Sequence, residues 1–328
     1  MARNLITDVA GVRVGNADDS ALASGVTVVM FDQPLVASGD VRGGGPGTRE
    51  IDLLDPAMTV EHVDAIVLSG GSAFGLDAAS GVQGWLREQG RGFPIGPARV
   101  PIVPGAILFD LLNGGEKAWG RYPPYRELAY AAAASASDDF ALGSVGAGLG
   151  ATTVNLKGGT GSASASLHDI TVGALAVVNA AGSVTIADTH QFWAGPFERH
   201  GEFGHHGFPH TLPPEALNAR TKGSLRASTT LVVVATDAHL TKAQTKRLAI
   251  MAQDGLARAI FPIHTPLDGD VVFAAATGVH EVGDPIRGLA QIGALAADVV
   301  ARAVARGIYE AIALPFHDAL PAYKDKFR

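Results

Sequence analysis

Thr229-Thr230-Leu231-Val232-Val233-Val234-Ala235-Thr236 begins abruptly after a long polar stretch. Its β-branched, uncharged run predicts a buried strand whose first residue follows a loop. Downstream, Thr241-Lys242-Ala243-Gln244 predicts a capping box, with Thr241 accepting from the Gln244 amide and the glutamine side chain reaching back. The helix that follows turns Leu248, Met251, Ala252 and Ala259 inward. Pro262-Ile263-His264-Thr265-Pro266-Leu267-Asp268-Gly269-Asp270 then turns into a second strand, Val271-Val272-Phe273-Ala274-Ala275-Ala276. A long last helix follows Pro285, with Leu289, Ile292, Leu295 and Val299 on one face.

Upstream, from about Asp188 to Arg226, periodicity is lost, and His200, His205, His206 and His210 lie among glycines, prolines and charges. Their spacing fits no helix face and no carboxylate pattern, so a solvated, flexible linker is expected over 188–228 rather than a metal site. Before it, Ser162-Ala163-Ser164-Ala165-Ser166-Leu167 and Ile170–Asn179 predict two strands. Ala180-Ala181-Gly182 predicts a turn into a third, Ser183–Ala187, so that the three form an antiparallel meander. Further upstream, Ala65-Ile66-Val67-Leu68 predicts a buried strand running into Ser69-Gly70-Gly71-Ser72-Ala73-Phe74-Gly75. A helix follows, with Leu76, Ala79, Val82 and Leu86 on one face and Gly90 at its end. The spacing matches neither the dinucleotide fingerprint nor the P-loop, although the N–H groups of Gly70 and Gly71 suit an oxyanion or a substrate carboxylate. Arg42-Gly43-Gly44-Gly45-Pro46-Gly47-Thr48-Arg49-Glu50 reads as a loop, either on the plain surface or close to a ligand or a partner subunit.

Composition narrows the function. The 328 residues are 47% hydrophobic and 17% charged, enough to bury a large core. A formal charge of −7 and a pI near 5.8 argue against nucleic acid and anionic membrane surfaces as partners. The absence of cysteine removes disulfides, zinc–thiolate sites and cysteine nucleophiles together. The first residues carry no signal-type apolar core, and no uncharged apolar run approaches the roughly 18 residues needed to span a bilayer. A cytoplasmic protein is expected.

The usual catalytic signatures are missing: there is no Gly-x-Ser-x-Gly elbow, no His-Glu-x-x-His and no EF-hand loop. What remains is a threonine at the start of a buried strand and two aspartates separated by one glycine at the mouth of the next. In extended chain, residues i and i+2 point the same way, so Asp268 and Asp270 can converge on one point. A tight Asp-Gly turn with solvated carboxylates is the other reading of the same residues.

Thr229–Ala238, the helix after it and His264–Asp270 resemble the nucleophile region of the L-aminopeptidase/D-esterase family, which includes β-aminopeptidases and nylon-oligomer endo-hydrolases. Gly11–Gly15, Val41–Gly44, Leu68–Asp77, Gly120–Tyr125 and Gly146–Gly148 agree in the same order, so the resemblance covers nearly the whole chain except the linker. It implies a single hydrolase domain with an α/β, four-layer αββα sandwich fold, two sheets between helical layers. It implies self-cleavage into an α chain, 1–228, and a β chain, 229–328, between Ser228 and Thr229. Thr229 matches the nucleophile, Asn179 the oxyanion-hole asparagine, and Asp268 with Asp270 the paired acids that position the nucleophile.

The mechanism implied needs no metal and no organic cofactor. A threonine hydroxyl is a poor nucleophile unless a base takes its proton, and a freed α-amine, which titrates near pH 8, can be that base. Two ionised aspartates beside that amine would raise its pKa, so either one acid is protonated or the pair orients rather than activates. The chain departs from its relatives at three places. Ser228 stands where Asn or Gly is common, Phe109 aligns with a tyrosine of the nylon-oligomer enzymes, and Asn155 aligns with their lysine, with Lys157 two residues on. Gly70, Gly71, Phe109, Asn155 and Lys157 are therefore candidates for substrate contact. The expected partners are a small peptide or amide substrate and further copies of the αβ unit, a tetramer by resemblance. Two other functions fit the same residues: an acyltransferase like ornithine acetyltransferase, and an uncleaved, non-catalytic homologue.

Overall fold

The strands around Thr229 carry apolar side chains on both faces, and double burial of that kind requires packed layers above and below. The structure is a computed structural model and describes residues 2–222 and 228–327. Its strands are β1 (Val12–Asp19), β2 (Ser24–Val41), β3 (Thr48–Arg49), β4 (His62–Ser69), β5 (Phe93–Ile95), β6 (Ala98–Val100), β7 (Gly105–Ile107), β8 (Gly159–Leu167), β9 (Ile170–Asn179), β10 (Thr229–Ala238) and β11 (Val271–His280). Its helices are α1 (Ala78–Glu88), α2 (Tyr125–Ala134), α3 (Lys242–Ala259), α4 (Arg287–Tyr309) and α5 (Tyr323–Lys326). Among the described residues the hydrogen-bonded order is β3-β7-β4-β2-β11-β10-β9-β8, with β1 attached to β2 and β5–β6 a separate hairpin.

β2 is long enough to serve two sheets. Its first half pairs with β1 and β4, and Val36–Val41 pairs with β11. The register shifts between Met30 and Leu35, where Asp32, Gln33 and Pro34 are exposed. Pro34 has no N–H for a ladder and suits that break. One sheet is therefore β1-β2-β4-β7-β3 and the other β2-β11-β10-β9-β8.

Strand periodicity then sorts three cores. Val26, Val28, Met30, Ala65 and Val67 face α1 and α2 through Ala79, Val82, Leu86, Ala129 and Ala132. The opposite parity, Val29, Phe31, Ile66 and Leu68, meets Leu175, Val177, Leu231, Val233, Val271 and Phe273 between the sheets. The remaining faces, with Val232, Val234, Val272 and Ala274, pack on Leu248, Ala252, Leu256, Val299 and Val300 of α3 and α4. Helices, sheet, sheet, helices: this is the four-layer sandwich expected. Thr241 caps α3 as the sequence predicted, accepting from the Gln244 N–H while the Gln244 side chain accepts from the Thr241 N–H at 2.9 Å. By length and composition α4 is apolar enough to cross a membrane, but it is a core helix, packed on the second sheet and on α3.

Two expectations need correction. Ser183–Ala187 is not a third meander strand. It is a buried irregular segment with single bridges from Ser183 to Phe261 and from Thr185 to Phe192, because β10 already occupies that edge of β9 from Thr229↔Asn179 to Thr236↔Val172. The stretch from Asp188 onward is not a solvated linker over its first part. Phe192 and Phe203 are buried and meet edge-to-face at 5.3 Å, and Glu202 pairs with Arg302 of α4 at 2.5 Å. Apolar anchors and a buried ion pair hold that part of the loop against α4. The end of the expected linker, 223–227, lies outside the described residues.

Candidate active site

The parallel pairing of β10 with β11 brings the start of one strand to the mouth of the other. Ser228 extends β10 by one bridge to Asp268: its N–H donates to the Leu267 carbonyl at 3.2 Å, and its own carbonyl accepts from the Gly269 N–H at 2.8 Å. The Thr229 hydroxyl donates to that same Ser228 carbonyl oxygen at 2.5 Å. On the other side Thr229 stands opposite Asn179 in the antiparallel ladder. Four predicted residues, Thr229, Asn179, Asp268 and Asp270, thus meet at one end of the second sheet. The Ser228–Thr229 bond lies at their centre, and Thr229 is only 3% exposed.

The two aspartates are buried, not solvated. Asp268 accepts from the N–H groups of Thr265 at 2.9 Å and Ala181 at 3.2 Å. Asp270 accepts from the Thr230 N–H at 2.7 Å and the His264 N–H at 3.2 Å, with the His264 ring nitrogen Nδ1 at 2.9 Å. Asp270 therefore fixes where β10 begins. Burial, and then the charge of Asp270 beside it, push the Asp268 carboxyl above the ordinary carboxylate range. The pair resists carrying two full charges.

The glycine loop after β2 backs this turn. The Gly45 N–H donates to the Asp268 carbonyl at 2.7 Å and the Arg42 N–H to the Asp270 carbonyl at 3.0 Å. A Cβ on Gly43 would come within 2.3 Å of the Asp268 carbonyl oxygen, so this close approach needs a glycine. The loop is therefore more than a plain surface loop: it supports the Asp268–Asp270 turn.

Asn179 joins Thr229 to a pocket. Its Oδ1 accepts from the Thr152 N–H at 3.0 Å and its Nδ2 donates to the Phe109 carbonyl at 3.1 Å. A backbone donor on one side and a backbone acceptor on the other fix which way the amide faces. The Lys222 ammonium, six residues before Ser228, reaches the carbonyl oxygen of Asn179 at 3.1 Å and its Oδ1 at 3.0 Å. Beside it lies a pocket of about 390 Å³ whose walls include Phe109, Asp110, Thr152, Lys157, Lys222 and Phe316.

The structure separates the two candidates for the relatives' lysine. Lys157 lines the pocket. Its ammonium donates to the carbonyls of Gly148, Ala151 and Gly158 at 2.9, 2.9 and 2.7 Å. Burial lowers its pKa to about 7, opposed in part by the charge of Asp110. Asn155 is not part of that wall. It is turned toward Thr153 and Ser183, whose hydroxyls approach its Oδ1 at 3.4 Å.

Gly70 and Gly71 do not offer free donors. The Gly70 N–H donates to the Gly25 carbonyl at 2.9 Å and the Gly71 N–H to Asp110 Oδ1 at 2.8 Å. The turn does hold a carboxyl group, but an internal one. Asp110 also accepts from Ser24 Oγ at 2.6 Å, and burial pushes its carboxyl above the usual range. Asp110 is a pocket residue that the sequence reading missed; its signal was an acid directly after the apolar run Ile107-Leu108-Phe109. Gly269 and Lys222 were also passed over, the first because a glycine between two acids reads as a turn, the second because it stood in the expected linker.

Comparisons with known proteins bear on the fold and the family. An aminopeptidase of Mycobacterium tuberculosis, itself described as uncharacterized, is 46% identical over 348 aligned positions, covering 99% of this chain and 98% of the relative. The 6-aminohexanoate-oligomer endohydrolase of a Kocuria species is 26% identical, covering 82% of this chain and 74% of that protein. Among solved structures, a Burkholderia β-aminopeptidase superposes with a TM-score of 0.72 over 99% of this chain and 93% of its own, at 23% identity, a likeness of fold. The family model described as peptidase family S58 matches residues 4–319. With its four layers, its buried Thr229 junction and that match over nearly its full length, the chain belongs to peptidase family S58 and is a hydrolase of the aminopeptidase and amidase kind.

Proposed function

We propose that the chain cuts its own Ser228–Thr229 bond and that the freed Thr229 is the N-terminal nucleophile of an amidase for short peptides, amino-acid amides or ω-amino amide oligomers. The observation that carries this reading is the Thr229 hydroxyl 2.5 Å from the Ser228 carbonyl oxygen, in a site where it is almost wholly buried. Such proximity replaces an encounter between separate molecules and supplies a large part of an acyl-transfer barrier. Once free, the α-amine takes the proton of its own hydroxyl, and the acyl group passes to Thr229 Oγ1 before water releases it. Asn179 has a second amide N–H to offer a tetrahedral oxyanion, an interaction worth roughly 3–4 kcal/mol. The relatives' printed activities, aminopeptidase and 6-aminohexanoate-oligomer endohydrolase, support the substrate classes. A pocket of about 390 Å³ suits small acyl groups.

Denaturing electrophoresis is expected to resolve two fragments, the smaller beginning Thr-Thr-Leu-Val. Thr229→Ala is expected to leave one uncut chain without activity on amino-acid p-nitroanilides. An intact wild-type chain hydrolysing amides at full rate would overturn the reading, because Thr229 would have no free amine.

A further inference from the structure

In the uncut chain one Nδ2 hydrogen of Asn179 is engaged by the Phe109 carbonyl, and the Ser228 carbonyl oxygen draws on other groups. Two other donors converge on that oxygen, the Thr229 hydroxyl at 2.5 Å and the Gly269 N–H at 2.8 Å. The hydroxyl gives up its donation when its oxygen turns to attack the carbonyl carbon. The backbone N–H has no attack to make and keeps its donation to that oxygen. We propose that the Gly269 backbone N–H is an oxyanion donor for cleavage of the Ser228–Thr229 bond and, after Ser228 leaves, joins the second Asn179 N–H at the carbonyl of the substrate.

Three observations carry this. First, the peptide group between Asp268 and Gly269 is gripped at both ends. Its carbonyl accepts from Gly45 at 2.7 Å while its N–H donates to Ser228, and hydrogen bonds in series polarise one another. Second, residue 269 is closed to a side chain: a Cβ there would stand 2.7 Å from Thr229 Oγ1 and 2.8 Å from the Gly45 carbonyl oxygen. The glycine between the two acids lets the backbone come up against the nucleophile. Third, the flanking carboxylates of Asp268 and Asp270 are engaged with other donors, so neither competes for the Gly269 N–H. A bond of this kind is ordinary in a parallel bridge; here the acceptor is the carbonyl next to the nucleophile.

In the step itself the Thr229 Oγ1–C bond forms as the carbonyl π pair moves onto oxygen, where the Gly269 N–H meets it. The hydroxyl proton passes to the Thr229 nitrogen and the C–N bond breaks. The products are an ester of Ser228 on Thr229 Oγ1 and a free amine. One water then hydrolyses the ester to the Ser228 carboxylate and the Thr229 hydroxyl. Departure of Ser228 leaves the Gly269 N–H without its acceptor, beside the new nucleophile, where an incoming acyl carbonyl takes the same place.

This inference rests on self-cleavage at Thr229 and is tested separately from it. Glycolic acid in place of Gly269 in the full chain turns one amide into an ester, which deletes the N–H and weakens the Asp268 carbonyl as an acceptor for Gly45. Conversion to two fragments is expected to slow about a hundredfold, the usual effect of losing one oxyanion donor, while the same replacement at the exposed Gly283 leaves the rate unchanged. Conversion of the Gly269 ester chain at the wild-type rate overturns the inference, as does equal slowing by the Gly283 replacement. A wild-type chain that never cuts would instead overturn the self-cleavage reading. If the ester chain folds poorly, the uncut Thr229→Ala chain carries a second measurement. The Gly269 amide proton is expected to exchange slowly with solvent, whereas exchange as fast as at Gly283 overturns the proposal.

Discussion

Two turns at the mouths of buried strands, Gly70–Gly71 and Asp268–Gly269–Asp270, each set glycine N–H groups beside carboxylates and use them in opposite ways. At the first, Asp110 takes the Gly71 N–H and the Gly70 N–H enters a backbone bond. At the second, the carboxylates of Asp268 and Asp270 turn to Ala181, Thr265, Thr230 and His264, and the glycine N–H is left to the Ser228 carbonyl, next to Thr229. A glycine turn is therefore an oxyanion site only when no side chain of the protein claims its donor first. The first turn supports the pocket wall; the second gives its N–H to the carbonyl of the Ser228–Thr229 bond.

The strongest way to break that contrast is to remove one acid from each turn. Asp270→Ala strips the acceptor from the Thr230 and His264 donors at a fully buried position, which is expected to cost about 3 kcal/mol or more in a urea titration. It is also expected to abolish conversion to two fragments, because Asp270 sets the start of β10. Asp110→Asn leaves the Gly71 N–H an acceptor and is expected to cost about 1–2 kcal/mol while the chain still cuts within threefold of the wild-type rate. Equal loss of cutting in both variants would end the distinction between the turns.

The sequence shows the layered architecture because its main signal is local. Runs such as Leu231–Ala235 and Val271–Ala276 are uncharged throughout, and strands of that kind need cover on both faces. Thr229, Asn179, Asp268 and Asp270 were legible through resemblance, whereas their convergence depends on β10 lying between β9 and β11, a long-range pairing that no local period encodes. For the same reason Ser183–Ala187 reads as a strand: its composition is right, but the edge it would need is taken by β10. Docking of Phe203 and Glu202 on α4 was equally hidden, since one aromatic and one acid among glycines carry no pattern until Arg302 stands opposite.

The pocket wall supplies a milder test through pH. Lys157 titrates near 7 in the folded chain, well below the ordinary lysine value of 10.5, because burial disfavours its charge. Between those values the unfolded chain binds the extra proton and the folded chain does not, so stability rises with pH across roughly 7 to 10.5 and the penalty is fully present below 7. Lys157→Met removes this titration and is expected to flatten that rise. It also leaves the carbonyls of Gly148, Ala151 and Gly158 without their donor, so the variant is less stable at high pH. Urea midpoints at intervals of one pH unit measure the slope. A wild-type chain with no rise over this window would mean that the Lys157 charge is better solvated than its burial implies.

The smallest effect is expected two residues away. By resemblance Asn155 matches a lysine of the nylon-oligomer enzymes, yet it points at Thr153 and Ser183 through two long contacts of 3.4 Å, and its Nδ2 is buried without a partner among the described residues. Truncation to alanine gives up two weak hydrogen bonds and at the same time removes an unsatisfied donor, so the two changes offset within about 1 kcal/mol. Since the side chain is no part of the pocket wall, Asn155→Ala is expected to keep kcat/KM on an amino-acid p-nitroanilide within twofold of wild type, with an unchanged rate of self-cleavage. Lys157→Met, on the wall itself, is expected to shift KM on the same substrate. A tenfold loss in Asn155→Ala with KM unmoved in Lys157→Met would reverse the assignment: position in the alignment, not position in the fold, would then have identified the residue that meets the substrate.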